Sequence, residues 1–220
     1  MRNTMKSAVL ISAAMMLTAT AFAQDGTPKW EISGDYSYMQ FNPTLPSLQS
    51  RAFNGGGGGV QYNFGRFFAI KGDFQGYGST HVTYTTTAPV VTPHGTVPGG
   101  KTFSSNGSMF TYLFGPAVGF HAHKFYVYGE YLLGGSASNL YGNLSQSINA
   151  GGGTVTVVGS QHPFTQALGG GIDVNLNKHV ALRLAQMDWV LTRYTNPIND
   201  TNNQHSFRYL AGVVFKLGAQ

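Results

Sequence analysis

The chain has no cysteine. A disulfide framework and thiolate chemistry are both closed to it, so its core must be stable unaided. Charge is scarce as well: Asp, Glu, Lys and Arg make up 10% of the 220 residues, against about 25% in an ordinary globular chain. Low charge beside 13% aromatic residues excludes a disordered chain, which would be charge-rich and aromatic-poor. The formal balance is +5, of which the basic N-terminal residues Arg2 and Lys6 supply two, and the remaining +3 is too mild to argue for a nucleic-acid partner. Long apolar runs are missing after the first 23 residues, where none approaches the roughly 20 needed for a transmembrane helix. No amphipathic helix of convincing length appears. The chain is rich instead in glycine, with 30 residues, and in period-two alternation, which together describe an all-β protein with many turns.

The N-terminus reads as a separate unit. "MRNTMK" is a basic n-region, "SAVLISAAMMLTAT" is a short apolar run, and Ala21-Phe22-Ala23 is an A-x-A cleavage site. Residues 1–23 are therefore expected to be a secretory signal peptide, and residues 24–220 a single barrel domain. Removing Arg2 and Lys6 lowers the formal balance to +3.

Eight segments alternate with period two: 30–41, 54–64, 68–78, 108–120, 125–136, 164–176, 180–193 and 206–217. Their connections alternate in length. Residues 65–67, 121–124 and 177–179 make short turns, while 42–53, 79–107, 137–163 and 194–205 are long and polar. Short turns at one end and long loops at the other predict an eight-stranded antiparallel up-and-down transmembrane barrel.

The faces can be sorted residue by residue. In "QYNFGRFFAIKGDF" (61–74), Tyr62, Phe64, Phe68, Ile70 and Phe74 share one face, and Gln61, Asn63, Lys71 and Asp73 share the other. Phe110, Tyr112, Phe114, Val118 and Phe120 likewise oppose Met109, Thr111, Gly115, Ala117 and Gly119. Rings facing lipid and charges facing the lumen satisfy both solvents. The predicted lumen network comprises Glu31, Asp35, Lys71, Asp73, Glu130, Asp173, Arg183 and Arg208. Eight strands enclose just enough room for side chains to fill, so a plugged polar lumen is expected rather than an open pore. Pairing Phe120 with Phe125 places Gly119 opposite Tyr126, Ala117 opposite Tyr128 and Gly115 opposite Glu130. Pairing Leu176 with Val180 places Val174 beside Leu182, Ile172 beside Leu184, and Asp173 opposite Arg183 as a cross-strand ion pair. Asp188 and Arg193 break the outward apolar run, so either a bulge switches faces there or the strand has left the membrane, and they are read as ordinary rim residues. Trp189 and Tyr194 suit an interfacial aromatic girdle. A soluble lipocalin-like barrel, with the aromatic face lining a ligand cavity, is the inverse assignment of faces.

The last segment, "FRYLAGVVFKL" (207–217), carries Gly212, Phe215 and Leu217 in the spacing polar-x-Gly-x-x-aromatic-x-hydrophobic, with Leu210 where a polar residue is usual. With the strand count and loop asymmetry, it makes residues 27–217 resemble the small OmpA-type and opacity-like outer-membrane β-barrels of Gram-negative-type bacteria. The resemblance implies residence in the outer membrane among its lipids and a C-terminal signal read by the barrel assembly machinery. It also implies a structural or adhesive role, with a narrow porin-like channel or a lipid A-modifying enzyme as alternatives. No peptidoglycan-binding domain is expected after residue 217. The surface ligand is not legible.

Other motifs yield to plainer readings, and no cofactor is expected. "GTVPGGKT" (95–102) has the P-loop spacing, but Pro93 and Pro98 interrupt it and no strand–helix unit surrounds it. It reads as an outer loop. "FNGGGGGV" (53–60) reads as a strand with little inward bulk. His121 and His123 lack a third ligand at metal-binding spacing. The deacylase type of lipid A enzyme uses a His-x-Ser pair. His205 and Ser206 are adjacent and so fall on opposite faces, and His162 has no serine two residues on. No activated nucleophile emerges.

Overall fold

A computed structural model describes residues 27–42, 51–122, 124–195 and 202–218. The predicted signal peptide and its cleavage site lie outside the described residues, as does His123. The strands are β1 (Trp30–Asn42), β2 (Arg51–Asn63), β3 (Phe68–Thr86), β4 (Val90–Thr92), β5 (Gly95–Val97), β6 (Lys101–His121), β7 (Phe125–Ser138), β8 (Phe164–Asn175), β9 (Val180–Arg193) and β10 (Asn203–Leu217). One helix, α1 (Leu140–Ala150), interrupts them. Eight strands close into a ring in the order β1-β2-β3-β6-β7-β8-β9-β10, and β4 and β5 form a separate two-stranded hairpin. All the ring pairings are antiparallel. Closure leaves no sheet edge, so backbone polar groups are satisfied within the wall.

The period-two pattern sets the faces. Phe68, Ile70, Phe114, Val118, Phe120, Val127, Leu168, Trp189 and Phe215 are each about half exposed on the outside, while Lys71, Asp73, Arg183 and Arg208 are buried inside. This is the polarity of a barrel in lipid. It is the reverse of a lipocalin-like barrel, whose apolar residues would line the cavity.

The hairpin β6–β7 departs from the expected register. The ladder reaches His121 opposite Tyr126, so Phe120 faces Val127, Gly119 faces Tyr128 and Ala117 faces Glu130. Gly115 instead faces Lys71 across β3. The turn is tighter than a Phe120–Phe125 pairing assumes: the Ala122 amide donates to the Phe125 carbonyl at 2.7 Å. A slip of two residues keeps each side chain on its face; a slip of one would have inverted them all.

In β8–β9, Asp173 faces Arg183 and Val174 faces Leu182, but Ile172 faces Ala185 instead of Leu184. The same irregularity shows on the other flank, where Gly212 faces Arg183 but Leu210 faces Gln186. β9 therefore carries one extra residue at Leu184–Ala185, a β-bulge. The bulge switches faces, so Gln186, Asp188, Val190 and Thr192 point inward and Met187 and Trp189 outward.

Two expectations about the loops need correction. Residues 79–107 are largely a continuation of the wall, since β3 and β6 pair on from Thr80–Gly107 to Thr86–Lys101. Residues 137–163 contain α1, which buries Leu140, Tyr141, Leu144 and Ile148. The i, i+4 spacing of Leu144 and Ile148 is helical, but the stretch is too short and glycine-flanked to stand out in the sequence.

Candidate functional site

The lumen is the most elaborate chemical environment among the described residues. It is built in levels from the short-turn end upward. At the lower mouth, the Glu31 carboxylate accepts from Asn63 Nδ2 at 3.1 Å and lies 3.3 Å from His121 Nε2. The His121 ring stacks on Tyr126 at 3.9 Å, and Tyr126 stacks on Tyr128 at 5.0 Å. These rings fit because their neighbours lack side chains: a Cβ on Gly119 would sit 2.5 Å from the Tyr126 ring.

One level up, Arg183 donates from Nε to Asp173 Oδ1 at 3.0 Å and from Nη2 to Asp173 Oδ2 at 3.3 Å. Its Nη1 reaches β1, lying 3.4 Å from Asp35 Oδ1, and Ser33 Oγ donates to Asp35 Oδ2 at 2.7 Å. At the centre, Lys71 Nζ donates to Glu130 Oε2 at 2.7 Å and to Gln186 Oε1 at 2.8 Å. The Gln186 amide nitrogen bridges two carboxylates, Glu130 Oε1 and Asp188 Oδ2, at 2.9 Å each. Tyr128 Oη closes the group by donating to Gln186 Oε1 at 2.7 Å. Higher still, Arg208 donates from Nη1 to Asp73 Oδ1 at 2.6 Å and from Nε to Asp188 Oδ2 at 2.9 Å. Its Nη2 lies 2.7 Å from that same Asp188 oxygen, as an ion contact off the hydrogen-bonding direction.

These bonds are chords of the ring. β3 and β9 stand four strands apart, directly opposite one another. The Lys71–Gln186 bond therefore spans the whole diameter. Arg208 on β10 reaches Asp73 on β3, three strands round, and Arg183 on β9 reaches Asp35 on β1, two strands round. The predicted network residues are thus brought together, in more than one linked group.

Above the polar levels the lumen turns apolar. Met39, Phe41, Phe53, Tyr77, Met109 and Leu113 belong to one buried cluster, which continues through Leu140, Tyr141, Leu144 and Ile148 of the helix. The helix starts across the mouth: Ser105 Oγ on β6 donates to the Leu140 carbonyl at 3.0 Å, while Tyr141 Oη donates to Gln204 Oε1 on β10 at 3.0 Å. β6 and β10 are also diametric. The return chain bonds to the hairpin, with Thr154 N donating to Thr96 O and Thr156 N to His94 O, both at 2.9 Å. Tyr194 packs edge-on against Tyr141 at 5.3 Å. Burial pushes both phenols above the ordinary tyrosine pKa, and their mutual repulsion as anions adds to the rise for Tyr141.

No family model matches this chain, and no curated protein matches it. Solved structures do. Neisserial surface protein A, NspA, aligns with a TM-score of 0.54 at 13% identity over 88% of this chain and 100% of its own. Ail, the attachment invasion locus protein of Yersinia pestis, solved with the heparin analogue sucrose octasulfate, gives 0.50 at 10% over 87% and 99%. The outer membrane protein OprG from Pseudomonas aeruginosa gives 0.50 at 12% over 87% and 97%. The fold is that of the small outer-membrane β-barrels.

Within this outer-membrane-type barrel, the structure locates residues the sequence left ambiguous. Asp188 is a central member of the lumen and not a rim residue, carried inward by the β9 bulge. Gln186 and His121 join the network without having been singled out for it; the signal for Gln186 was the change of parity between the outward Leu184 and the outward Met187. Arg193 is exposed, and Trp189 faces outward and stacks on His205 at 5.1 Å. Tyr194 does not sit in a girdle; it is 3% exposed and donates to Met109 Sδ at 3.1 Å. Gly212 lies against β1, where a Cβ would meet the Gly34 carbonyl at 2.1 Å, and Phe215 and Leu217 face outward.

The remaining motifs also find places. Lys101 of the P-loop-like stretch opens a strand, not a helix, and its Nζ donates to the Gly151 carbonyl at the C-terminus of α1 at 2.6 Å. A cation there suits the helix dipole. In β2, glycine stands where inward bulk would collide, since a Cβ on Gly57 would lie 2.7 Å from Gln75 Oε1. Ser206 points inward and is buried while His205 points outward, so the two share no reaction site.

Proposed function

We propose that this protein is an integral outer-membrane barrel with a closed lumen, serving as a structural or adhesive element of the cell envelope. The observation that carries the reading is the pair of chords across the ring, ionic at the centre and helical at the mouth, lying inside a wall whose outer face is ringed with apolar side chains. A channel needs a continuous wet path, and Lys71–Gln186 crosses that path at mid-height. Similarity of fold to NspA, Ail and OprG supports residence in an outer membrane. Gly212, Phe215 and Leu217 are the positions by which the assembly machinery would read the last strand. The reading is non-enzymatic: His205 and the adjacent Ser206 fall on opposite faces of the wall.

The test is lipid insertion. The protein refolded in phospholipid vesicles should run at a different gel mobility before and after boiling. A quencher dissolved in the acyl chains should reach a probe at Phe114 or Tyr131 and miss one at Glu130. The inverse accessibility would defeat the reading and restore a cavity-lining role for the rings. Unchanged lipid A mass on incubation with the protein is the expected result for the non-enzymatic part.

A further inference from the structure

All the acidic side chains of the described residues, Glu31, Asp35, Asp73, Glu130, Asp173 and Asp188, face the lumen and are buried. The charge on the described exterior is therefore of one sign. Its distribution follows the corners of the short-turn end. That end has four corners: the turns β2–β3, β6–β7 and β8–β9, and the paired ends of β1 and β10. Each bears one exposed cation, Arg66, Lys124, Lys178 and Lys29 respectively.

Backbone bonds tie these corners into a rim. Gly119 N donates to Phe67 O at 2.8 Å, Asn175 N to Lys124 O at 2.9 Å, Lys216 N to His179 O at 2.7 Å and Lys29 N to Leu217 O at 3.0 Å. Arg66 shows the depth of the rim. Its guanidinium lies 5.1 Å from the Phe120 ring and 6.0 Å from the Phe67 ring, both of which face outward and are about half exposed. The cation is laid along the apolar surface of the two rings; in a bilayer-spanning barrel such a cation marks the level where acyl chains give way to headgroups. At the loop end the described exposed cations are Arg193 and Lys101, and Lys101 is engaged by Gly151.

We propose that the short-turn rim is a docking ring for anionic phospholipid headgroups, taking their phosphodiesters between neighbouring corner cations. The proposal rests on the bilayer-spanning reading above. Each surface Lys or Arg attracts anionic lipid by about 1 kcal/mol, or roughly fivefold in local partition. The attraction should fade as salt shortens the Debye length.

The protein is to be folded into vesicles of phosphatidylcholine mixed with phosphatidylglycerol, extracted gently, and its retained lipids counted by native mass spectrometry. Expected is retention of phosphatidylglycerol over phosphatidylcholine, weakened by high salt and unaffected in Arg193→Gln. Lys124→Gln and Arg66→Gln should each lower the preference several-fold, and the four-corner variant with Lys29→Gln and Lys178→Gln should abolish it. Equal retention of the two lipids by the native protein, a preference indifferent to salt, or an equal loss in Arg193→Gln overturns the proposal. So does a corner variant that keeps its lipid preference but no longer sediments with peptidoglycan, which would assign the rim to the wall polymer. Folding in pure phosphatidylcholine, read as heat-dependent gel mobility, is scored separately. Its failure would sink the bilayer reading itself, whereas folding without lipid preference would sink only the docking ring.

Discussion

At the scale of single residues, the lumen shows how charge is tolerated where water is scarce. A buried charge stripped of its partner costs far more than the pair gives. Arg183 holds Asp173 by two bonds and also touches Asp35. Arg183→Ala should therefore lower unfolding stability by roughly 3–5 kcal/mol, read by urea unfolding in vesicles. Adding Asp173→Ala should cost less than it does alone, because its oxygens are already orphaned. Strictly additive losses would show that the two do not interact. Asp35 keeps its Ser33 donor, so the double variant should still fold. The Asp173–Arg183 contact was legible because both residues alternate in phase with the turn at 177–179. Asp188 was not, since its side depends on one inserted residue at Leu184–Ala185, and a bulge is a backbone event with only a weak side-chain signature. Gly169 tests that placement. Asp188 Oδ1 and the Met187 carbonyl fill its inward side, 2.1 and 2.2 Å from where a Cβ would sit. Gly169→Ala should destabilise the barrel measurably in the same unfolding assay, whereas Gly34→Ala, with no atom within 4 Å of its Cβ position, should be close to neutral.

At the scale of elements, the strands were readable and the cap was not. Strand faces follow from a period of two, which survives errors of register and of boundary; β6–β7 slipped by two residues and lost nothing of its polarity. The helix α1 has no such redundancy. Its buried residues share a cluster with Tyr84, Val97 and Phe103, which lie far from it along the chain, so its stability is tertiary and leaves little local trace. The cap makes an alkaline prediction. Tyr141 and Tyr194 are held neutral by burial, with pKa values above the ordinary phenol. A group whose folded pKa is raised favours the fold below its unfolded value, about 10 for tyrosine, and loses that contribution as pH climbs past it. The cap should therefore be firm at neutral pH and loosen in the alkaline range. Amide hydrogen exchange in residues 140–150 should rise there before exchange in β7 or β9 does. Tyr141→Phe should blunt the response, at the cost of the bond to Gln204. Simultaneous loosening of cap and wall would place the alkaline weakness elsewhere.

At the scale of the whole molecule, the proposed closed lumen rests on two sets of contacts of different chemistry, one above the other. The lower is ionic and spans the ring through Lys71, Gln186, Arg208 and Asp73; the upper is apolar and spans it through α1. Closures in series are redundant for permeation: removing either leaves the other across the path. Replacing residues 139–159 by a short glycine–serine link should strip the mouth and still give no current in planar bilayers, because the ionic chords are borne by the wall. Replacing Lys71 and Arg208 by alanine with the cap intact should likewise give none, although the freed carboxylates Asp73, Glu130 and Asp188 would draw water into the barrel's waist. Only the combination should produce discrete conductance steps, and these should favour cations, since the charges left at the waist would be negative. Stable steps from the unaltered protein would show that the chords open on their own and that the lumen is a working channel. Steps from the cap deletion alone would show that the helix, and not the ionic network, is what keeps ions out.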